Sequence, residues 1–225
     1  MAFSNFIFNE TLIRERLLPF DSPSRLNLED DCFIKSAILF LLILYKNKPY
    51  DLVLILRTKR NKDRHSGEMS FPGGKFDLSL EKSLENTALR ECEEELGIPR
   101  ENITLLGCFD DHITPKGFII TPFVGYIDEQ QKIIKQEDEV DEIVKISITF
   151  FANKKNYIER TYLLNKEIIA VGKYNYRAPN GIKYVIFGTT SHMIVHFIEK
   201  VYNIRLMKQN ARCLTCKDFG ENVFK

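Results

Sequence analysis

The stretch "ALRECEEELG", residues 88–97, places four glutamates within five positions beside one arginine. In an α-helix, which turns by about 100° per residue, three of these carboxylates lie on one face: Glu91, Glu94 and Glu95. The apolar side chains of the stretch fall together on the neighbouring face, which is the natural core side: Ala88, Leu89, Cys92 and Leu96. The pattern predicts an amphipathic helix from residue 84 to residue 96, and Gly97 is typical of a helix end.

The acidic face calls for a physical explanation. A solvated surface is the ordinary interpretation of a charge run, but Glu91 and Glu95 are like charges four residues apart and destabilise a helix. A divalent cation would reverse that effect, because Mg²⁺ prefers carboxylate oxygens and keeps several waters, which leaves room for phosphate oxygens. Arg90 lies beside Glu94 and can hold it by a charge-assisted hydrogen bond.

The segment "SFPGGKFD", residues 70–77, precedes this helix. Proline and paired glycines mark a turn, and the backbones of Gly73 and Gly74 can approach a metal or a phosphate closely. A Gly-Gly turn alone is weak evidence. Followed by Arg-Glu-x-x-Glu-Glu-x-Gly on a helix, it strongly indicates a site for metal and phosphate.

The residues from 74 to 98 resemble the Nudix box, whose core is Arg-Glu-apolar-x-Glu-Glu-x-Gly-apolar. The resemblance implies an α+β fold, a Nudix-type α/β/α sandwich with a mixed β-sheet. It also implies hydrolysis of nucleoside diphosphates linked to another group, with Mg²⁺ or Mn²⁺. Arg90 would orient the glutamates, and the metal would be held by four residues: Gly74, through its carbonyl, Glu91, Glu94 and Glu95.

The loop inside the box is longer than usual, with 15 residues from Lys75 to Leu89. Counted back from the arginine, the position of the family's loop glutamate falls on Lys82. Glu81 and Glu85 are nearby alternatives. The sequence therefore leaves that role open.

Segments on both sides of the box resemble the coenzyme A diphosphatase branch of the family: "RHSGEMSFPGG" (64–74), "TPKGFIITPFVGYI" (114–127), "EVDEIVKISITFF" (139–151) and "YVIFGTTSHMIVHFI" (184–198). The resemblance covers residues 36–204. It implies hydrolysis of coenzyme A or its derivatives to 3′,5′-ADP and 4′-phosphopantetheine, or its acyl form. The branch expects an arginine where Asp63 stands, and Arg64 is one place further along.

Two alternatives stay open, the first of which is supported by Asp63 and the long loop. One is a Nudix hydrolase of another nucleoside diphosphate derivative, such as ADP-ribose, a dinucleotide or an oxidised nucleotide. The other is a nucleotide-sensing Nudix module without catalysis, which missing box glutamates would favour. All three glutamates are present.

Two further segments supply candidate site residues. "RTKRNKDRHSG", residues 57–67, is an exposed basic loop or, beside the box, a set of phosphate ligands that includes Arg57, Arg60 and Arg64. "QEDEVDE", residues 136–142, is a solvated acidic loop or the source of a catalytic base, for which we choose Glu139. Glu91 is the other candidate base.

Composition places the protein among globular domains: 225 residues, 44% hydrophobic, 28% charged, with a net charge of +1. This charge argues against a nucleic-acid partner. The apolar run "AILFLLILY", residues 37–45, is too short to span a bilayer, so we expect no membrane partner. The N-terminus shows no clear signal peptide, and we expect a cytoplasmic protein with a small-molecule substrate. A homodimer is compatible with the sequence.

The chain divides into three parts. Residues 1–31 are expected to form a helical N-terminal extension, residues 32–207 the Nudix hydrolase domain, and residues 208–225 a tail that carries a Cys-x-x-Cys pair, Cys213 and Cys216. We expect no closed zinc site there, because no second pair of ligands is near. Strands are expected at 36–45, 51–57, 103–109, 118–127, 143–147 and 182–187, and helices at 81–96, 190–204 and near 148–156.

Overall fold

The computed structural model describes residues 6–59, 67–212 and 218. Its helices are α1 (Glu10–Arg16), α2 (Leu84–Leu96), α3 (Ile148–Ala152) and α4 (Gly188–Tyr202). Its strands are β1 (Ile34–Leu44), β2 (Asp51–Arg57), β3 (Met69–Ser70), β4 (Gly73–Lys75), β5 (Thr104–Cys108), β6 (His112–Thr114), β7 (Phe118–Asp128), β8 (Val140–Ser147), β9 (Tyr157–Leu164), β10 (Glu167–Arg177), β11 (Lys183–Phe187) and β12 (Ala211–Arg212). Within the described residues, no helix has both the length and the apolar composition to span a membrane.

The main sheet has eight strands and is mixed. Strand β1 pairs in parallel with β7 along its full length and antiparallel with β2 and β4. Strands β3 and β8 pair with β2, and β5 and β6 pair with β7. Strand β1 is an almost unbroken apolar run because both faces of the sheet are covered.

Alternate residues of β1 serve two different cores. Leu39 and Leu41 pack in the cluster that holds Cys92 and Leu96 of α2. Phe40 packs on the opposite face, where its ring stacks against Phe71 and Phe197 at centroid distances of 4.5 and 4.6 Å. Helices therefore cover both faces, and the expected α/β/α sandwich of α+β class is confirmed. Burial of each such side chain contributes roughly 1.5–3 kcal/mol.

A second sheet of four strands follows the main one. Strands β9 and β10 form a long hairpin whose turn residues, Asn165 and Lys166, have φ values of 50° and 67°, as a two-residue turn of type I′ requires. The sequence analysis expected no strand over residues 157–177. The other expected strands and helices form, with small shifts at their ends.

The described part of the N-terminal segment packs against the main sheet and is helical over α1 alone. Asn9 caps α1 by accepting a hydrogen bond from the backbone N–H of Leu12 at 3.0 Å. Further along, the buried pair Arg25–Asp111, at 2.6 Å, fixes the segment to the residues before β6. The division at residues 31 and 207 stays a prediction, and Cys213 and Cys216 lie outside the described residues.

Candidate active site

Helix α2 is capped at both ends, and the end at Gly97 is the one expected from the sequence. The side chain of Ser83 accepts a hydrogen bond from the backbone N–H of Asn86 at 3.2 Å, and Gly97 ends the helix with a φ of 62°. Burial of Ala88, Cys92 and Leu96 against the sheet fixes the rotation of the helix. The glutamates of the same helix are thereby directed toward the turn at Gly73 and Gly74.

Glu95 is the most deeply buried of these glutamates, with its side chain 1% exposed. Its carboxylate accepts a hydrogen bond from the backbone N–H of Gly73 at 2.9 Å and lies 3.6 Å from the guanidinium of Arg57. The pKa of Glu95 is raised to about 8, chiefly by burial and also by the charges of Glu91 and Glu139, against the lowering effect of these two partners. The positive groups around Glu95 therefore do not compensate for the cost of its negative charge in this buried position.

Glu91 lies against Gly74. A Cβ on Gly74 would come within 2.2 Å of the Glu91 carboxyl carbon, so only glycine leaves room for this carboxylate. Burial raises the pKa of Glu91, Arg90 opposes that rise, and the charges of Glu94 and Glu139 add to it.

Glu139 enters from the loop that precedes β8. Its backbone carbonyl accepts a hydrogen bond from the N–H of Thr58 at 3.0 Å, which holds the loop beside the end of β2. Its charge acts on both Glu91 and Glu95. The structure therefore brings together five of the residues expected from the sequence: Gly73, Gly74, Glu91, Glu95 and Glu139.

Glu94 and Arg90 are arranged differently. The side chain of Glu94 is 55% exposed and accepts a hydrogen bond from Arg90 at 2.7 Å. Arg90 also contacts Glu91 at 2.9 Å. In residues 6–59, 67–212 and 218, no group of three or more His, Cys, Asp or Glu side chains is arranged so that it could hold a metal ion as it stands. Two of the three expected glutamate ligands are instead held by Arg90.

Glu81 is the partner of Arg90 that the sequence did not assign. It accepts two hydrogen bonds from the guanidinium, at 2.7 and 3.1 Å, and one from the hydroxyl of Thr87 at 2.6 Å. Arg90 lowers the pKa of the buried Glu81 carboxyl. The long loop places this residue one position before Lys82, whose side chain is exposed.

The arrangement fits a hard divalent cation. The donors near Gly74 are the carboxylates of the half-buried Glu91 and the buried Glu95, both with raised pKa values, and a Cβ at Gly74 would close the space beside Glu91. Mg²⁺ takes few protein carboxylates and completes its octahedron with water or phosphate oxygens, so an open ligand set suits it.

The basic side chains beside the site are partly described. Arg57, at the end of β2, reaches Glu95 as stated above, whereas Arg60 and Arg64 lie outside the described residues. Lys116, in the turn between β6 and β7, forms an ion pair with Glu68 at 3.0 Å. The sequence analysis did not select this lysine, which ties that turn to the end of the basic segment.

The model of the NUDIX domain family matches residues 36–163, more than half of the chain. The chain belongs to the Nudix family. Two relatives illustrate the match. This Nudix protein is 40% identical over 96 residues to the protein named "Uncharacterized Nudix hydrolase NudL" of Pectobacterium atrosepticum, covering 42% of this chain and 50% of that protein. It is 28% identical over 162 residues to "Peroxisomal coenzyme A diphosphatase NUDT7" of Mus musculus, covering 72% and 67%.

The chain thus spans about half the length of the first of these relatives and about two thirds of the second. Among solved structures, it resembles an Ap4A hydrolase of C. elegans, with a TM-score of 0.42 and 16% identity over 52% of this chain and 81% of that one. It also resembles a MutT/nudix family protein of Enterococcus faecalis, with a TM-score of 0.45 and 17% identity over 79% and 64%.

Proposed function

We propose that this Nudix protein hydrolyses the pyrophosphate bond of coenzyme A or a derivative, giving 3′,5′-ADP and 4′-phosphopantetheine or its acyl form. The observation that carries the reaction type is that Glu91 and Glu95 lie against the glycines of the Gly73–Gly74 turn, with the charge of Glu139 acting on both. The substrate rests on the segments that resemble the coenzyme A branch and on the name of the mouse relative.

Mg²⁺ or Mn²⁺ would be held by Glu91 and Glu95 with the carbonyl of Gly74, and by Glu94 once its carboxylate leaves Arg90. When bound, the ion neutralises phosphate charge and makes bound water more acidic. Residues of the chain itself supply the general base and the groups that orient the carboxylates. Glu91 or Glu139 accepts the proton of the attacking water as general base, since Glu91 lies against Gly74 and the charge of Glu139 acts on both Glu91 and Glu95.

Arg90 acts through other residues. Its guanidinium is fixed by Glu81 on one side and contacts Glu91 and Glu94 on the other, so it orients these carboxylates. The N–H of Gly73 positions Glu95, and its role toward substrate phosphate stays a prediction. Arg57 supplies positive charge at the site. Arg60 and Arg64 are proposed to bind phosphate groups, among them the 3′-phosphate of coenzyme A.

The remaining expectations concern the surroundings of the protein. We propose a small-molecule substrate and no nucleic-acid partner. A cytoplasmic location stays a prediction, and the mouse relative is named as peroxisomal. A homodimer also stays a prediction.

The test is product analysis by chromatography. Purified protein with Mg²⁺ or Mn²⁺ is incubated separately with coenzyme A, ADP-ribose, NADH, diadenosine polyphosphates and oxidised dGTP. We expect release of 3′,5′-ADP from coenzyme A, faster than cleavage of the other compounds. Cleavage of another compound alone would keep the reaction and overturn the substrate. No cleavage of any compound, with metal bound, would favour the sensing module.

A matched pair of variants separates the site from the helix. Glu95→Gln removes a buried carboxylate at the site, and we expect its turnover to fall more than about 100-fold, since even outer-shell changes cost 10–100-fold. Glu93→Gln changes the same helix, but Glu93 pairs with Arg100 on the surface at 3.3 Å. Its turnover should stay within about twofold, because exposed ion pairs contribute little.

A further inference from the structure

The second sheet turns one face toward the core and the other away from it. Tyr174, Tyr184 and Ile186 belong to the hydrophobic core, and side chains alternate along a strand. The opposite side chains of the three longer strands form what we call the outer face: Ile158, Arg160, Tyr162 and Leu164 of β9; Glu167, Ile169, Val171, Lys173, Asn175 and Arg177 of β10; Lys183, Val185 and Phe187 of β11.

The outer face exposes a contiguous apolar surface. Five of its large apolar side chains are 41–55% exposed: Ile158, Tyr162, Val171, Val185 and Phe187. The register makes them neighbours, because Val171 is the diagonal neighbour of Ile158, Tyr162 and Phe187, and Val185 lies two residues before Phe187 on the same face of β11. Ile169 also points to this face but is buried beside β12. Scattered exposed apolar residues are normal, whereas a contiguous patch rimmed by polar residues marks an interaction site.

The charges of the outer face are mostly basic. Of its thirteen side chains, one is acidic, Glu167, and four are basic: Arg160, Lys173, Arg177 and Lys183. The whole chain has a net charge of +1, so this concentration is local. Glu167, at the end of the hairpin, forms an ion pair with Arg212. A partner for this face must offer negative charge together with apolar groups.

The end of the β9–β10 hairpin also exposes apolar side chains on the other face of the sheet. Leu163 and Ile168 pair with each other and are 76% and 40% exposed. Side chains alternate along a strand, so these two residues are not part of the outer face.

We propose that the outer face binds the surface of a lipid bilayer that contains anionic phospholipids. Basic side chains attract anionic headgroups, and the exposed aliphatic and aromatic groups enter the interface between headgroups and acyl chains. This revises the expectation of no membrane partner, which rested on the lack of a spanning run and does not concern surface binding. The proposal is independent of the proposed hydrolysis.

The composition of the outer face favours lipid over two other partners. A two-fold contact with a second copy would place the basic face against itself, since both subunits of such a contact present the same patch. A nucleic acid would need a row of aromatic side chains on which successive bases stack, whereas the two exposed aromatic side chains of this face, Tyr162 and Phe187, lie on β9 and β11 with β10 between them.

The test is co-sedimentation of the full chain with vesicles of phosphatidylcholine, with and without phosphatidylserine. We expect binding to be at least about tenfold stronger with phosphatidylserine, and to weaken with added salt.

Variants test which side chains bind the vesicles. Arg160→Glu with Lys173→Glu should reduce binding to vesicles that contain phosphatidylserine about tenfold. Phe187→Ser should weaken it several-fold while the salt dependence remains. A matched control reverses two exposed lysines of the β1–β2 turn: Lys46→Glu with Lys48→Glu changes the net charge equally and should alter binding less than about twofold.

Three outcomes would overturn the proposal. They are equal binding to both kinds of vesicle, equal loss in the two double variants, and no vesicle binding by a protein that binds single-stranded RNA or forms a dimer through this face. Thermal unfolding of each variant separates loss of binding from loss of fold.

Discussion

Gly73 and Gly74 are adjacent in the sequence but must be glycine for different reasons. In Gly74→Ala the new Cβ would displace the carboxylate of Glu91, so we expect hydrolysis to be lost with little change in stability. In Gly73→Ala the Cβ would meet the carbonyl oxygen of Ala37 at 2.4 Å, and the φ of 151° disfavours any side chain. We expect a loss of about 1–3 kcal/mol in the free energy of unfolding.

Urea unfolding and turnover, measured on both variants, distinguish the two effects. An active Gly74→Ala protein would show that Glu91 does not need the space beside this residue. A Gly73→Ala protein of unchanged stability would contradict the close approach of β4 to β1.

Glu81 is predicted to act on the metal site through Arg90. In Glu81→Gln the guanidinium loses a charged partner, so we expect affinity for Mn²⁺ and turnover to fall about 10–100-fold. Glu85→Gln is the control, because Glu85 is the other loop glutamate near the expected position and is not a partner of Arg90 in the described contacts. Titration of Mn²⁺ by its electron spin resonance measures the affinity. Equal effects of the two substitutions would contradict this role.

Glu81 and the glutamates of α2 differ in how far residue patterns predict their positions. The positions of Glu91 and Glu95 follow from helical periodicity, so the sequence suffices to place them on one face. The partner of Arg90 depends on the path of a long loop, which no periodicity fixes. Counted back from Arg90, the expected position is Lys82. The buried carboxylate that binds Arg90 belongs to Glu81, one residue earlier.

At the scale of elements, three histidines from β6 and α4 form a neutral cluster. The ring of His112 lies 4.9 Å from that of His192 and 5.8 Å from that of His196. Burial lowers the pKa of His112 well below its usual range and that of His192 to about 4, and it also lowers the pKa of His196. The neighbouring charges are Asp110, Glu199 and Lys200.

The sign of the pH effect follows from these directions. The unfolded chain takes up protons near pH 6.5, whereas the folded cluster stays neutral, so stability is complete above pH 6.5 and is lost as the pH falls toward 4. The slope is at most about 1.4 kcal/mol per pH unit for each histidine. Urea unfolding between pH 7 and 5 measures it. His112→Phe should flatten the curve, and an unchanged slope would show that His112 is charged in the folded protein.

The elements themselves were predicted to different extents. Strands β1, β2 and β7 are continuous apolar runs because both of their faces are covered, and such runs are visible in the sequence. The β9–β10 hairpin has many exposed side chains on both faces and so lacks the contrast that marks a half-buried strand. Its turn was the available signal, since asparagine adopts positive φ readily.

At the scale of the whole molecule, binding of the metal is linked to folding. The folded chain brings Glu91, Glu95 and Glu139 together, and their mutual repulsion disfavours the metal-free state. The unfolded chain does not hold these carboxylates in one place. An ion that binds only the folded state stabilises it by about 2.7 kcal/mol when its concentration is 100 times its Kd. We therefore expect Mg²⁺ or Mn²⁺ to raise the Tm by several degrees at constant ionic strength.

The same pair of glutamate substitutions used for turnover tests this linkage. Glu95→Gln removes part of the repulsion as well as a ligand, so its Tm without metal should equal or exceed that of the wild type, and the rise with Mg²⁺ should disappear. Glu93→Gln should keep the full rise, because its side chain pairs with Arg100 away from the site. Differential scanning calorimetry measures all three proteins. An equal rise in Glu95→Gln would place the stabilising ion elsewhere in the molecule, because that variant lacks the buried carboxylate against which the ion is proposed to bind.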